Sequence, residues 1–98
     1  MTAADPEAAR VLSHFLDEDG RLHTIPSKHA KLLVVLDHLA QSFEPGDRYE
    51  EVEVNLVLRR FHDDYAALRR YLVENGFLTR EAGIYWRSGG TYDVSDPS

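Results

Sequence analysis

The chain has 98 residues, 43% hydrophobic, 29% charged and 10% aromatic, and 17 acidic against 11 basic residues give a formal charge of −6. That length fits one small domain, the apolar share argues against wholesale disorder, and the lack of cysteine excludes disulfides and thiolate metal sites. The longest apolar run, Leu32–Leu36, falls far short of the roughly 20 residues that span a bilayer, and an acidic start without a basic-then-apolar leader predicts a cytoplasmic protein without membrane contact.

Residues 6–16 are predicted as a short helix. Asp5 suits its N-cap, Pro6 its first position, and Ala8, Val11, Leu12, Phe15 and Leu16 recur at three and four. Asp17-Glu18-Asp19-Gly20 ends it in a turn. Arg21–Ile25, bracketed by Gly20 and Pro26, is expected as a short strand. Residues 26–43 form the central helix, with Pro26 at its start and Ser27 near the cap. Leu32, Leu36, Leu39, Ala40 and Phe43 line one face, and Leu33, Val34 and Val35 widen it. Pro45-Gly46-Asp47 stops it.

Residues 49–60 fit two periods. Val52, Val54, Leu56 and Leu58 alternate as in a strand, while Val54, Val57, Leu58 and Phe61 fit a helix. Glu50, Glu51 and Glu53 at the start and Arg59-Arg60 at the end match a helix dipole and favour the helix. A second helix follows over 63–75, capped by Asp63 or Asp64, with Phe61, Tyr65, Leu68 and Leu72 on one face and Asn75-Gly76 as its left-handed stop. Phe77–Arg80 and Ile84–Trp86, around Glu81-Ala82-Gly83, read as a β-hairpin. The polar stretch from Gly89-Gly90 onward is expected to be mobile, giving one domain over 1–90 and a tail over 91–98. A helix pair followed by a two-stranded ribbon predicts an α+β, mainly helical fold: a winged helix-turn-helix with an extra N-terminal helix.

The segment Leu72-Val-Glu-Asn-Gly-Phe-Leu-Thr-Arg80 is similar to the helix-end-plus-wing signature of ArsR- and MarR-type bacterial regulators. A closer resemblance runs through residues 43–55, Phe61-His-Asp-Asp-Tyr65, Leu68-Arg-Arg70, Leu72-Val73 and Tyr85-Trp86. These motifs look like a bacterial domain family of unknown function that occurs alone or behind an ArsR-type DNA-binding domain. The resemblance covers about residues 15–87. It implies a winged-helix fold and a setting in transcriptional control, and it brings no catalytic or base-reading residue with it. No ArsR-type domain precedes the matching region here, so function is expected from this domain alone or with a partner.

The charge is uneven. Residues 1–20 carry −4, 21–43 +2, 44–58 −4, 59–90 +2 and 91–98 −2. The overall sign argues against general coating of nucleic acid but leaves room for one basic face. Arg59, Arg60, Arg69, Arg70, Arg80 and Arg87 are the candidate DNA contacts, with Arg80 and Arg87 flanking the hairpin. Against this, the outward face of the 63–75 helix is expected to hold Asp63, Ala66, Ala67, Arg70 and Glu74. Arg70–Glu74 is then an ordinary i,i+4 pair, and Arg69 borders the apolar face.

Other chemistry is weakly supported. His23, His29, His38 and His62, with Asp63 and Asp64, lack the spacing of a metal site, and His62-Asp63-Asp64 reads better as a turn and cap. Ser13, Ser27, Ser42 and Thr79 have no glycine elbow, and no phosphate-cradling loop is present, so no enzyme and no cofactor are expected. Tyr71, off the core stripe of its helix, and Trp86, expected to be half covered, are candidates with the N-terminal helix for a self-association or partner surface. The leading expectation is a dimeric DNA-binding regulator. The rival is an interaction or dimerisation module that binds a regulator or polymerase subunit rather than nucleic acid.

Overall fold

A computed structural model describes residues 6–91. The chain runs α1 (Pro6–Phe15), α2 (His29–Ala40), β1 (Arg48–Glu50), α3 (Glu51–Arg59), α4 (Tyr65–Glu74), β2 (Leu78–Glu81) and β3 (Ile84–Arg87). The fold is α+β, with four helices and one antiparallel sheet of order β1-β3-β2 among the described residues.

The first departure from expectation lies between α1 and α2. Arg21–Ile25 is not a strand: one bridge, Leu16 to Leu22, is all the pairing there. Asp17 organises the preceding turn, its Oδ1 accepting from the amides of Asp19 at 2.8 Å and Arg21 at 2.9 Å. The Arg21 amide bond lowers the Asp17 pKa most. Leu22 is 5% exposed, and its amide donates to the carbonyl of Phe61 at 2.8 Å. The segment thus enters the core in irregular form, and Pro26 is buried there rather than opening the helix. α2 begins at His29, behind an extended Lys28 (φ −79°, ψ 130°). It ends at Ala40, and Phe43 closes a tighter turn by donating to the carbonyl of Ala40 at 3.0 Å.

The second departure is β1 (Arg48–Glu50), since Tyr49 and Glu50 fall in the 49–60 stretch expected as helix. Its own pattern is exposed, half-buried, exposed, which carries little strand signal. Pairing with β3 makes it a strand, in the register Arg48–Trp86, Tyr49–Tyr85 and Glu50–Ile84. The chain turns at once into α3, whose start is fixed by the Glu53 carboxylate accepting from the Glu50 amide at 2.8 Å, half of a capping box. Residues 51–59 are therefore helical, and the strand reading of that stretch fails. Asp64 caps α4, its Oδ1 accepting from the Ala67 amide at 3.2 Å, and Gly76 at φ +79° ends it.

The hairpin turn places Ala82 (φ 52°) and Gly83 (φ 81°) in succession in the left-handed region, the signature of a two-residue I′ turn. With β1 added, the expected two-stranded ribbon is a three-stranded sheet. Val35, Leu36 and Leu39 of α2 pack with Val54, Leu58, Leu68, Leu72, Leu78 and Tyr85, each buried. Each such aliphatic side chain contributes about 1.5–3 kcal/mol of apolar burial. α1 packs on α2 with no residue of its own fully buried; Leu12 and Phe15 are half-covered against the core.

After β3 the chain is held down as far as Thr91. A side chain at Gly89 would meet the carbonyl oxygen of Gly76 at 2.5 Å, so glycine permits the close approach. Thr91 donates from its amide and hydroxyl to the Asp37 carboxylate at 2.6 and 2.9 Å. These contacts tie residues 89–91 to α2 and to the end of α4, and residues 92–98 lie outside the described ones.

Candidate nucleic-acid interface

The strand register decides where the candidate arginines go. Side chains alternate across the sheet, and Tyr85 and Arg87 take the buried side while Ile84 and Trp86 are half-exposed. Arg87, the last residue of β3, is therefore 7% exposed, turned into the fold rather than outward as expected of a phosphate contact. Its guanidinium donates to the carbonyls of Gly89 (3.0 Å), Phe43 (3.3 Å) and Thr91. A buried charge needs such partners, and these three carbonyls are among those that hold it.

Arg80 stands opposite Tyr85 in the register and so leaves the sheet on the helix side, its guanidinium 5.9 Å from the Tyr85 ring centroid. On α4, Ala66, Arg69, Arg70 and Val73 follow the i, i+3, i+4, i+7 spacing of one face. That face and Arg80 border an open cleft of about 330 Å³ between α4 and the sheet, with Glu74 and Tyr85 completing its lining. Arg70 lies 3.8 Å from Glu74 and 5.0 Å from the Tyr71 ring centroid. Arg69 is half-buried, bonded to Asn55 Oδ1 and 3.9 Å from Glu51. Glu51 in turn accepts from the Tyr85 hydroxyl at 2.8 Å. Burial first, and that carboxylate second, raise the Tyr85 pKa above its ordinary value of 10.0.

Arg59 and Arg60 are exposed where α3 ends, away from the cleft lining. Their carbonyls accept from Arg21 Nη1 at 2.9 and 3.2 Å, and Arg21 Nη2 pairs with Asp63 at 3.0 Å. Arg21 thus caps the C-terminal end of α3 from outside the helix, a role its local sequence did not signal. The expected outward face of α4 also needs correction, because Ala67 is 8% exposed and belongs to the core. Arg48, not among the six candidate arginines, lies 4.7 Å over the Trp86 ring. That cross-strand stack covers part of Trp86.

The histidines are dispersed. His62 Nδ1 accepts from the Asp64 amide at 2.9 Å, the turn role expected for it. His38 is half-buried with its ring edge-on to Phe61, and burial lowers its pKa below 6.5 against an opposing pull from Asp37. Among the described residues no three His, Cys, Asp or Glu side chains are grouped to hold a metal, and no helix is long and apolar enough to cross a membrane.

No curated protein and no solved structure matches the chain. A family model does, over residues 21–87, and on that match across most of its length the chain belongs to DUF2087, the family described as an uncharacterized protein conserved in bacteria.

Proposed function

We propose that the chain is a winged helix-turn-helix protein of the transcription-regulatory kind, working in the cytoplasm as a DNA-binding rather than a catalytic unit. The observation that carries this reading is the opening of Arg70 on α4 and Arg80 on β2 onto one cleft, in a chain ordered α2-β1-α3-α4-β2-β3. On this reading α3 and α4 are the helix pair, β2–β3 is the wing, and α1 is the added N-terminal helix. A guanidinium on the second helix and another on the wing would straddle a phosphate backbone. Arg59 and Arg60 add exposed charge at the end of α3, whereas Arg87 takes no part.

The exposed side chains of α4 are Ala66, Arg70 and Glu74, which offer little for reading base edges. Binding is therefore expected to be weakly sequence-selective and steeply salt-dependent. A homodimer would gather two such surfaces, with α1 as the added contact, since its apolar stripe remains only half-covered in the monomer. Fluorescence anisotropy with genomic duplexes at low salt tests the reading. Saturable binding that weakens on removing Arg70 and Arg80 supports it, and no binding at low salt overturns it.

One observation favours the rival class. Val52 and Leu56, one turn apart on α3, are 58% and 55% exposed. Such a pair suits a protein-interaction module that docks a regulator or polymerase subunit without nucleic acid. A partner that co-purifies with the wild type and is lost from a Val52→Ser, Leu56→Ser variant would favour that class.

A further inference from the structure

We propose that the cleft between α4 and β2 is a seat for one phosphate group, formed by Arg69, Arg70 and Arg80; its assignment to a DNA backbone phosphate rests on the reading above, while its anion chemistry does not. The three arginines come from two elements and line one space of about 330 Å³, the small end of the range for ligand pockets. That volume suits a phosphate with its attached sugar better than a large cofactor.

The donors are held but not used up. A guanidinium has five N–H donors in a planar fork. Arg69 spends one on Asn55, and its contact with Glu51 is 3.9 Å. Arg70 meets Glu74 at 3.8 Å. Both carboxylate contacts exceed hydrogen-bond length, so they supply Coulomb attraction without occupying donors. Arg80 has no carboxylate within ion-pair distance among the described residues and faces only the Tyr85 ring. A phosphate oxygen offers the geometry that arginine forks fit best, through short charge-assisted bonds.

Two carboxylates tune the site. Glu51 is anchored by the Tyr85 hydroxyl and steadies Arg69 at the inner wall. Glu74 lies on the cleft lining, is 57% exposed at its side chain, and is free to swing away. Its carboxylate, 3.8 Å from Arg70, competes with an incoming phosphate for that guanidinium. Removing Glu74 is therefore expected to strengthen binding, a direction that a purely structural Arg70–Glu74 pair does not give.

The test uses the full chain, with inorganic phosphate and a short duplex as separate probes. Phosphate titrated into 15N-labelled protein should shift the Arg69, Arg70 and Arg80 Nε–H signals together, saturating in the millimolar range. Arg70→Gln with Arg80→Gln should abolish those shifts and weaken duplex binding about tenfold at low salt, while Glu74→Gln should tighten both about threefold. These positions are exposed, and amide dispersion in the variants checks that the fold is kept. Phosphate shifts at the three arginines without duplex binding support the seat and overturn the DNA reading. Duplex binding that ignores both variants, with phosphate shifts elsewhere or absent, overturns the seat and leaves the DNA reading standing. Silence from both probes overturns both.

Discussion

Arg87 Nη1 donates to the backbone carbonyl of Phe43 at 3.3 Å, tying the end of the last strand to the turn that closes α2. The same guanidinium holds the carbonyls of Gly89 and Thr91, so one buried charge fastens three parts of the chain. Replacing Arg87 with methionine keeps much of the stem packing but leaves those acceptors without their donor. Hydrogen bonds to a charged group contribute about 1.5–3 kcal/mol, so the variant should lose about 2–3 kcal/mol of stability. Urea denaturation measures this. DNA affinity of the folded variant should equal that of the wild type, which separates Arg87 from the arginines at the cleft.

The hairpin turn leaves room for stabilisation. Ala82 occupies the left-handed region at φ 52°, a conformation that costs an L-residue with a Cβ about 1–2 kcal/mol. Ala82→Gly or Ala82→Asn, each followed by Gly83, gives preferred I′ pairs. Either should raise stability by about 0.5–1 kcal/mol in thermal unfolding. A loss in both would contradict the turn geometry.

His38 sets an acid-side dependence. Burial beside Phe61 lowers its folded-state pKa below the ordinary 6.5, so the unfolded chain binds the proton more tightly. The corresponding stability is fully present above pH 6.5 and is lost as the pH falls through the folded-state value. His38→Gln should flatten the decline of the denaturation midpoint over that acid window. An unchanged slope would remove His38 as its source.

Tyr85 sets the opposite dependence. Its pKa is raised by burial and by Glu51, so its contribution is fully present below pH 10 and falls away as the pH rises through the folded-state value. Ultraviolet titration of the phenolate should show one tyrosine titrating late. Glu51→Gln should bring it only part of the way back, because burial is the larger cause.

Much of this was legible in the chain, and the gaps have physical causes. The glutamates at the start of α3 and the arginines at its end identify a helix where alternation alone suggests a strand, because dipole and capping demands act locally. Asp64, Gly76 and the Ala82-Gly83 turn are local devices as well, and were visible for that reason. β1 was not, because Arg48–Glu50 is a strand only through its pairing with β3. Arg87 sits two residues from Tyr85 and shares its inward side; strand parity alone pointed inward, but the carbonyls that receive the charge come from distant sequence. Pro26 looked like a helix start until the bond between Leu22 and Phe61 drew its neighbours into the core.

The most direct measurement is the salt dependence of duplex binding by anisotropy, compared between wild type and the Arg70→Gln, Arg80→Gln variant. Each phosphate contact contributes about −0.9 to the slope of log K against log salt. Loss of both arginines, which share one phosphate, should make the slope shallower by about 1 per chain and weaken binding at every salt concentration. An identical slope in the two proteins, or no binding by the wild type at low salt, would contradict the assignment of α4 and the hairpin as the DNA-facing surface.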